Sequence, residues 1–179
     1  MRAVVVYESV WTNTATIAKT IARRLESFGD VELVSVLETD ATAVEGADLL
    51  VVGGPTHMHG MSRESSRQTV ADRELVAGAS KGPGVREWLD NLPEGNGTWA
   101  TAFDTRLDKP RWLVGAASGG ISRKLRGHGY RMVVPAESFI VTDGEGPLKA
   151  GEIERADAWA EQIVRRMEER SPAVAATAS

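Results

Sequence analysis

The chain has 179 residues, 42% of them hydrophobic, which is enough for one domain with a full core. It has no cysteine, which excludes disulfides, thiolate metal sites and thiol catalysis and fits a reducing cytosol. A formal charge of -4 with a pI near 5.5 points away from nucleic acid, and no apolar run approaches the ~20 residues a membrane helix needs. Any redox chemistry must therefore come from a bound cofactor.

The chain opens on an apolar run, Ala3 to Tyr7, of the kind expected for a parallel strand covered on both faces. A hydroxyl- and amide-rich turn follows, Ser9-Val10-Trp11-Thr12-Asn13-Thr14. From Thr14 the period becomes helical, with Ile17, Ile21, Leu25 and Phe28 on one stripe, and Gly29 ends the helix. No Lys or Arg lies between Arg2 and Lys19, whereas a P-loop places a Lys at the end of its turn. An anion held here would rest on side-chain hydroxyls and amides and on the free N–H groups of the helix start. That is a cradle for the phosphate of a held cofactor, and its hydroxyl density exceeds what a helix cap alone requires.

Further strands are expected at Val31 to Val36 and Leu49 to Gly53. After Pro55-Thr56-His57-Met58-His59-Gly60 comes a polar excursion, Ser62 to Gly84, with a short helix around Glu64 to Leu75. Val85, Trp88, Leu89 and Leu92 form a compact helix, and Trp99 to Phe103 a fourth strand. Leu113 to Arg126 is helical in its later part, with Ile121 and Leu125 facing inward. Met132 to Val141 makes a fifth strand in two pieces around Pro135, and the last helix, Glu152 to Glu169, buries Ile153, Ala156, Trp159, Ile163 and Met167. The domain spans 1–170, and the Ala/Ser/Pro tail at 171–179 has nothing to pack and is expected to be disordered.

Strands alternating with helical sequence predict an α/β, doubly wound parallel sheet. Ligands of such sheets bind beyond the carboxyl ends of the strands, so the loops after strands one, three and four are the candidates. The His57-x-His59 pair supplies two ligands with no acid or thiol nearby in sequence, so no metal site is expected. No Gly-x-Ser-x-Gly turn is present, which argues against a hydrolase. Between Arg106 and Arg131 stand seven basic residues, Arg106, Lys109, Arg111, Arg123, Lys124, Arg126 and Arg131, against the single acid Asp108. That segment is either a solvated face or a docking surface for an acidic redox partner or the phosphates of NAD(P)H. No aromatic residues interleave these positions as a base-stacking platform would require.

Val5, Val6, Tyr7, Ser9, Thr14, Ala18 and Ile21 fit the opening pattern of the flavodoxin-like flavoproteins, and the chain resembles that family over residues 1 to about 170. It is especially similar to a group of actinobacterial flavodoxin-domain proteins that share phrases close to Gly54-Pro55-Thr56-His57, Phe103-Asp104-Thr105-Arg106 and Pro135-Ala136-Glu137-Ser138-Phe139. The resemblance implies a five-stranded sheet of order 2-1-3-4-5 with helices on both faces, and FMN as cofactor. It places Ser9, Thr12, Asn13 and Thr14, with the backbone of Val10 and a shielding Trp11, around the phosphate end of FMN. Pro55, Thr56, His57, Met58, His59 and Gly60 would border one face of the ring, and Phe103, Asp104, Thr105 and Arg106 its pyrimidine end. Thr12 stands where the family keeps Gly, Ala or Cys, and a β-branched residue adopts positive φ only under strain. The implied function is electron transfer, with no catalytic side chain. The alternatives are an FMN-dependent NAD(P)H:quinone or protoporphyrinogen oxidoreductase, or a partner-binding module that lost the flavin. A soluble, cytoplasmic protein is expected.

Overall fold

The computed structural model describes residues 1–57, 60–65, 67–68 and 82–170. Elements follow in the order β1 (Arg2–Tyr7), α1 (Asn13–Leu25), β2 (Asp30–Ser35), β3 (Leu49–His57), β4 (Gly60–Met61), α2 (Val85–Asp90), β5 (Trp99–Leu107), α3 (Arg111–Val114), α4 (Ala117–Gly127), β6 (Arg131–Met132), β7 (Glu137–Val141) and α5 (Glu152–Glu168). The sheet runs β2-β1-β3-β5-β6, with β7 pairing β5 further along and β4 pairing β3. β6 meets β5 at Trp99↔Arg131, and β7 meets it from Phe103↔Glu137 to Leu107↔Val141. Together they fill one position beside β5, so the sheet has the flavodoxin-like order with a fifth strand in two pieces and β4 as an added antiparallel hairpin strand.

The central strands are parallel and apolar on both faces, and they bury two cores. One core packs α1 and α5 on the sheet. Ile17, Ile21 and Leu25 of α1 are fully buried, and Arg24 pairs with Asp157 of α5. In it Phe103, Phe139 and Trp159 meet edge to face, with centroids 6.1 to 6.4 Å apart. Gly53 makes room for this cluster, because a Cβ there would lie 2.0 Å from the Phe103 ring. The opposite core packs α2 and α4 through Val85, Trp88, Leu89, Ile121 and Leu125.

Two strands run further than their apolar stretches predict: β3 continues through Pro55 to His57, and β5 through Asp104 to Leu107. The register Gly54↔Asp104 and Pro55↔Thr105 carries the ladder into residues that read as loop, because each strand has a hydrogen-bonding neighbour there. In α5, Ile153 is 43% exposed rather than buried. Glu152 turns inward instead, accepting the Ile140 N–H at 2.8 Å and pairing with Arg155. Residues 64, 65, 67 and 68 are helical, while the rest of the expected helix to Leu75 and the tail at 171–179 fall outside the described residues. Among the described residues no helix is long and apolar enough to cross a membrane.

Candidate functional site

The carboxyl ends of β1, β3, β5 and β7 open on a cleft of about 610 Å³. Val10, Trp11, Asn13 and Thr14 line one end, Pro55, Thr56 and His57 another wall, and Thr105, Arg106 and Leu107 the third. Val141 and the turn Asp143-Gly144-Glu145-Gly146 close the remaining side.

The first loop is shaped by one residue. Thr12 precedes α1 with φ 66 and ψ -21, in the left-handed region, and its side chain makes no capping bond. A non-glycine residue held there costs about 1–2 kcal/mol. The Thr12 carbonyl accepts from Thr16 at 2.9 Å, so the helix begins in register despite the strain. Ser9 Oγ accepts the Ala15 N–H at 3.2 Å and keeps its own proton to donate. Among the described residues, no acceptor is present for the N–H groups of Val10, Trp11, Thr12, Asn13 and Thr14. Successive free amides around a left-handed residue make an anion-binding concavity.

The side chains of this loop tie it to its neighbours. Thr14 Oγ1 shares a buried 2.8 Å hydrogen bond with Thr105 Oγ1, joining the first loop to β5. Asn13 Nδ2 donates to the Glu145 carbonyl at 2.7 Å, which draws the 143–146 turn over the cleft. Gly146 has φ +108, and a Cβ on it would stand 2.4 Å from Asn13 Nδ2, so the crossing needs glycine.

Sequence-predicted site residues divide by face. Thr105 and Arg106 reach the cleft, whereas Phe103 is fully buried in the aromatic cluster. Asp104 is fully buried on the other side, where Oδ2 accepts the Ser118 N–H of α4 at 2.8 Å. Alternation along β5 sends Phe103 and Thr105 to one face and Asp104 to the other. Burial raises the Asp104 pKa against the Ser118 hydrogen bonds, and Oδ1 has no partner among the described residues. Arg106 anchors its guanidinium on the carbonyls of Leu107 and Lys109, at 3.2 and 2.6 Å, while its buried Nε has no acceptor there. Arg106 therefore makes no ion pair with Asp104.

His57 ends β3 on the cleft wall. Burial lowers its pKa, Arg67 adds to that and Glu8 opposes it, so the imidazole is neutral at pH 7. Thr56 Oγ1 accepts the Ala117 N–H at 2.9 Å and caps α4. Gly60 lies in β4, on the far side of His57, while Met58 and His59 fall outside the described residues. Leu107, Val141 and the Asp143–Gly146 turn line the cleft without having been singled out from sequence. The turn composition Asp-Gly-Glu-Gly-Pro is legible, but its place over the first loop follows from β7 lying beside β5.

Behind this wall, Glu8 is buried and accepts from Ser62 Oγ at 2.5 and 2.7 Å and from the Val85 N–H at 2.8 Å. Arg67, also buried, donates to Ser62 Oγ at 3.0 Å and pairs with Glu87 at 3.2 Å. The polar excursion is thus pinned to the end of β1 at its first turn. Among the described residues no group of His, Asp and Glu is placed to hold a metal ion.

Residues 5–83 match the sequence profile described as Flavodoxin. No curated protein sequence shows a significant match to the chain. Among solved structures, oxidised Flavodoxin 2 from Bacillus cereus superposes with a TM-score of 0.68 at 17% identity, covering 93% of this chain and 99% of that one. The Streptococcus pneumoniae TIGR4 flavodoxin gives 0.67 at 18%, with the same coverage of 93% and 99%. A flavodoxin, WrbA-like protein from Agrobacterium tumefaciens gives 0.58 at 15%, covering 94% and 98%. With the Flavodoxin profile matching residues 5–83 and the sheet order and superpositions extending along the chain, the protein has a flavodoxin-like fold.

Proposed function

We propose that the protein binds FMN in the cleft at the strand carboxyl ends and moves electrons through it in the cytoplasm. The observation that carries this reading is the strained Thr12, whose left-handed backbone sits among five loop N–H groups with no acceptor among the described residues. Strain is retained where the surrounding structure over-determines it, and a concavity of free amides is what a phosphate needs. The strain at a residue the family keeps small is therefore a cost the loop bears, and the backbone still takes the left-handed form.

The residues present fit the cofactor. Val10 to Thr14 would hold the phosphate through main-chain N–H groups and the Ser9 hydroxyl, with Asn13 fixing the turn that closes over it. Thr105 and Arg106, whose Nε has no acceptor among the described residues, would meet the pyrimidine end, and His57 would border the ring. FMN supplies one- and two-electron chemistry when bound. The Arg106 charge would favour electron density at the pyrimidine end, and the neutral His57 would add no charge of its own. The protein's part is to bind, orient and tune.

A second reading, an FMN-dependent NAD(P)H:quinone oxidoreductase, is favoured by an arginine-lined cleft on the far side of His57. Titration of the purified protein with FMN, followed by visible absorbance and flavin fluorescence, tests the first reading. Saturable one-to-one binding with a perturbed flavin spectrum is expected, and a protein that stays spectrally silent overturns both readings. NAD(P)H consumption in the presence of a quinone separates the oxidoreductase from the carrier.

A further inference from the structure

Beyond the end of β5 the chain leaves an indole in solvent. Every residue from Asp108 to Leu113 is exposed, and within α3 Trp112 is 82% exposed and Leu113 46%. Among the described residues no other Phe, Tyr or Trp is exposed. Burying a tryptophan removes roughly 150–250 Å² from water, and Trp and Arg are the side chains that anchor protein contacts. An exposed Trp-Leu pair is thus surface for which the fold itself has no use.

Cations share this segment with the indole. Arg111 donates to Ser138 Oγ at 3.1 Å, and Arg106 is held on the Leu107 and Lys109 carbonyls. Neither these two nor Lys109 makes an ion pair with a described residue. Asp108, the one acid of the stretch, is engaged by Lys149 at 2.6 Å. Ser138 stands beside Asp104 in the ladder, so the Arg111 contact places α3 on the α4 face of the sheet. The acids Asp143 and Glu145 belong to a turn drawn the other way, onto Asn13 of α1.

We propose that residues 109–113 are a docking surface for an acidic protein, which seats the Trp112 indole in an apolar pocket ringed by carboxylates facing Lys109 and Arg111. Charge complementarity selects this occupant over a second copy of the chain, because a two-fold contact would set the same cations against each other. β5 carries Thr105 and Arg106 to the first cleft shortly before it reaches α3, so a partner held here stands beside that cleft. Electron exchange with the partner rests on FMN binding there, whereas docking does not.

A labelled helical peptide with leucines on one face and glutamates flanking them, titrated with the full chain and followed by fluorescence anisotropy, tests this. The same peptide with lysines for the glutamates is the control, and the proteins are the native chain, Trp112→Ser and Lys109→Glu. Both side chains stand in solvent, so thermal melts should be unchanged. Saturable binding of the glutamate peptide is expected, weakened about tenfold or more in each variant and falling as salt is raised, with the lysine peptide left unbound. No binding of the glutamate peptide, equal binding by the three proteins, or equal binding of the two peptides overturns the proposal. Sedimentation of the protein alone covers the other occupant: a dimer that Trp112→Ser dissociates overturns the acidic partner and assigns the surface to self-association. FMN titration of the same samples separates the two failures, since peptide binding without FMN binding removes only the flavin reading, and the converse removes only the docking surface.

Discussion

The two clefts on either side of His57 are lined by different kinds of donor. The first uses fixed main-chain dipoles around Thr12, with the acids Asp143 and Glu145 on its rim. The second is lined by Arg63, Arg86 and Arg123 and by the backbone of Gly119 and Gly120. Fixed amides lose little to salt because they carry no counterions and cost no side-chain entropy, whereas exposed arginines are screened within about 10 Å at 0.1 M salt. A permanent cofactor is better served by the first device and an exchanging ligand by the second.

The partition between the clefts is the place to break this arrangement. Glu8→Ala strips acceptors from the Val85 N–H and from Ser62, and removes the carboxylate that Ser62 links to Arg67. Urea denaturation should show a loss of about 3 kcal/mol. Next comes Gly146→Ala, whose Cβ would press on Asn13 from a backbone at φ +108. It should cost about 2 kcal/mol and weaken FMN in a fluorescence titration.

Thr12→Gly sharpens the contrast from the other direction. Relief of the left-handed strain, offset by glycine's freedom when unfolded, should raise stability by about 0.5–1 kcal/mol with FMN affinity kept. A loss of stability would show that the Thr12 side chain compensates for its own backbone. The smallest effect concerns Asp104, whose pKa is raised by burial. The folded state then holds its proton at pH values where the unfolded chain, with a pKa of about 3.9, has lost it, so stability falls as pH climbs from about 4 towards the raised value. Asp104→Asn removes that contribution, and melts recorded as a function of pH should show a shallower slope over this window.

Much of the fold was legible because burial leaves a period in the residues. Ile17, Ile21 and Leu25 at helical spacing, and the unbroken apolar run of β1, mark a strand and a helix that need no partner to be recognised. The donor-rich first turn was legible as well, since Ser9 to Thr14 carry donors and no cation. The ends of β3 and β5 were not: Pro55 to His57 and Asp104 to Leu107 read as loop, and only their ladders with each other, with β4 and with β7 make them strand. Asp104 shows the same limit at one residue. Its neighbours Phe103 and Thr105 turn one way and it turns the other, to cap α4.

The sequence by itself determined the alternation of strands and helices, the donor-rich first turn and the basic stretch from Arg106 to Arg131, because these are properties of neighbouring residues. Tertiary structure alone decided that the 143–146 turn closes over Asn13, that Thr14 meets Thr105, and that the basic stretch splits. Arg106 goes to one cleft, Arg123 to the other, and Lys124 is paired with Asp90. The physical reason is that parallel strands place their carboxyl ends side by side while keeping them far apart in the chain, so a site there is assembled from residues whose spacing along the sequence carries no signal of their meeting.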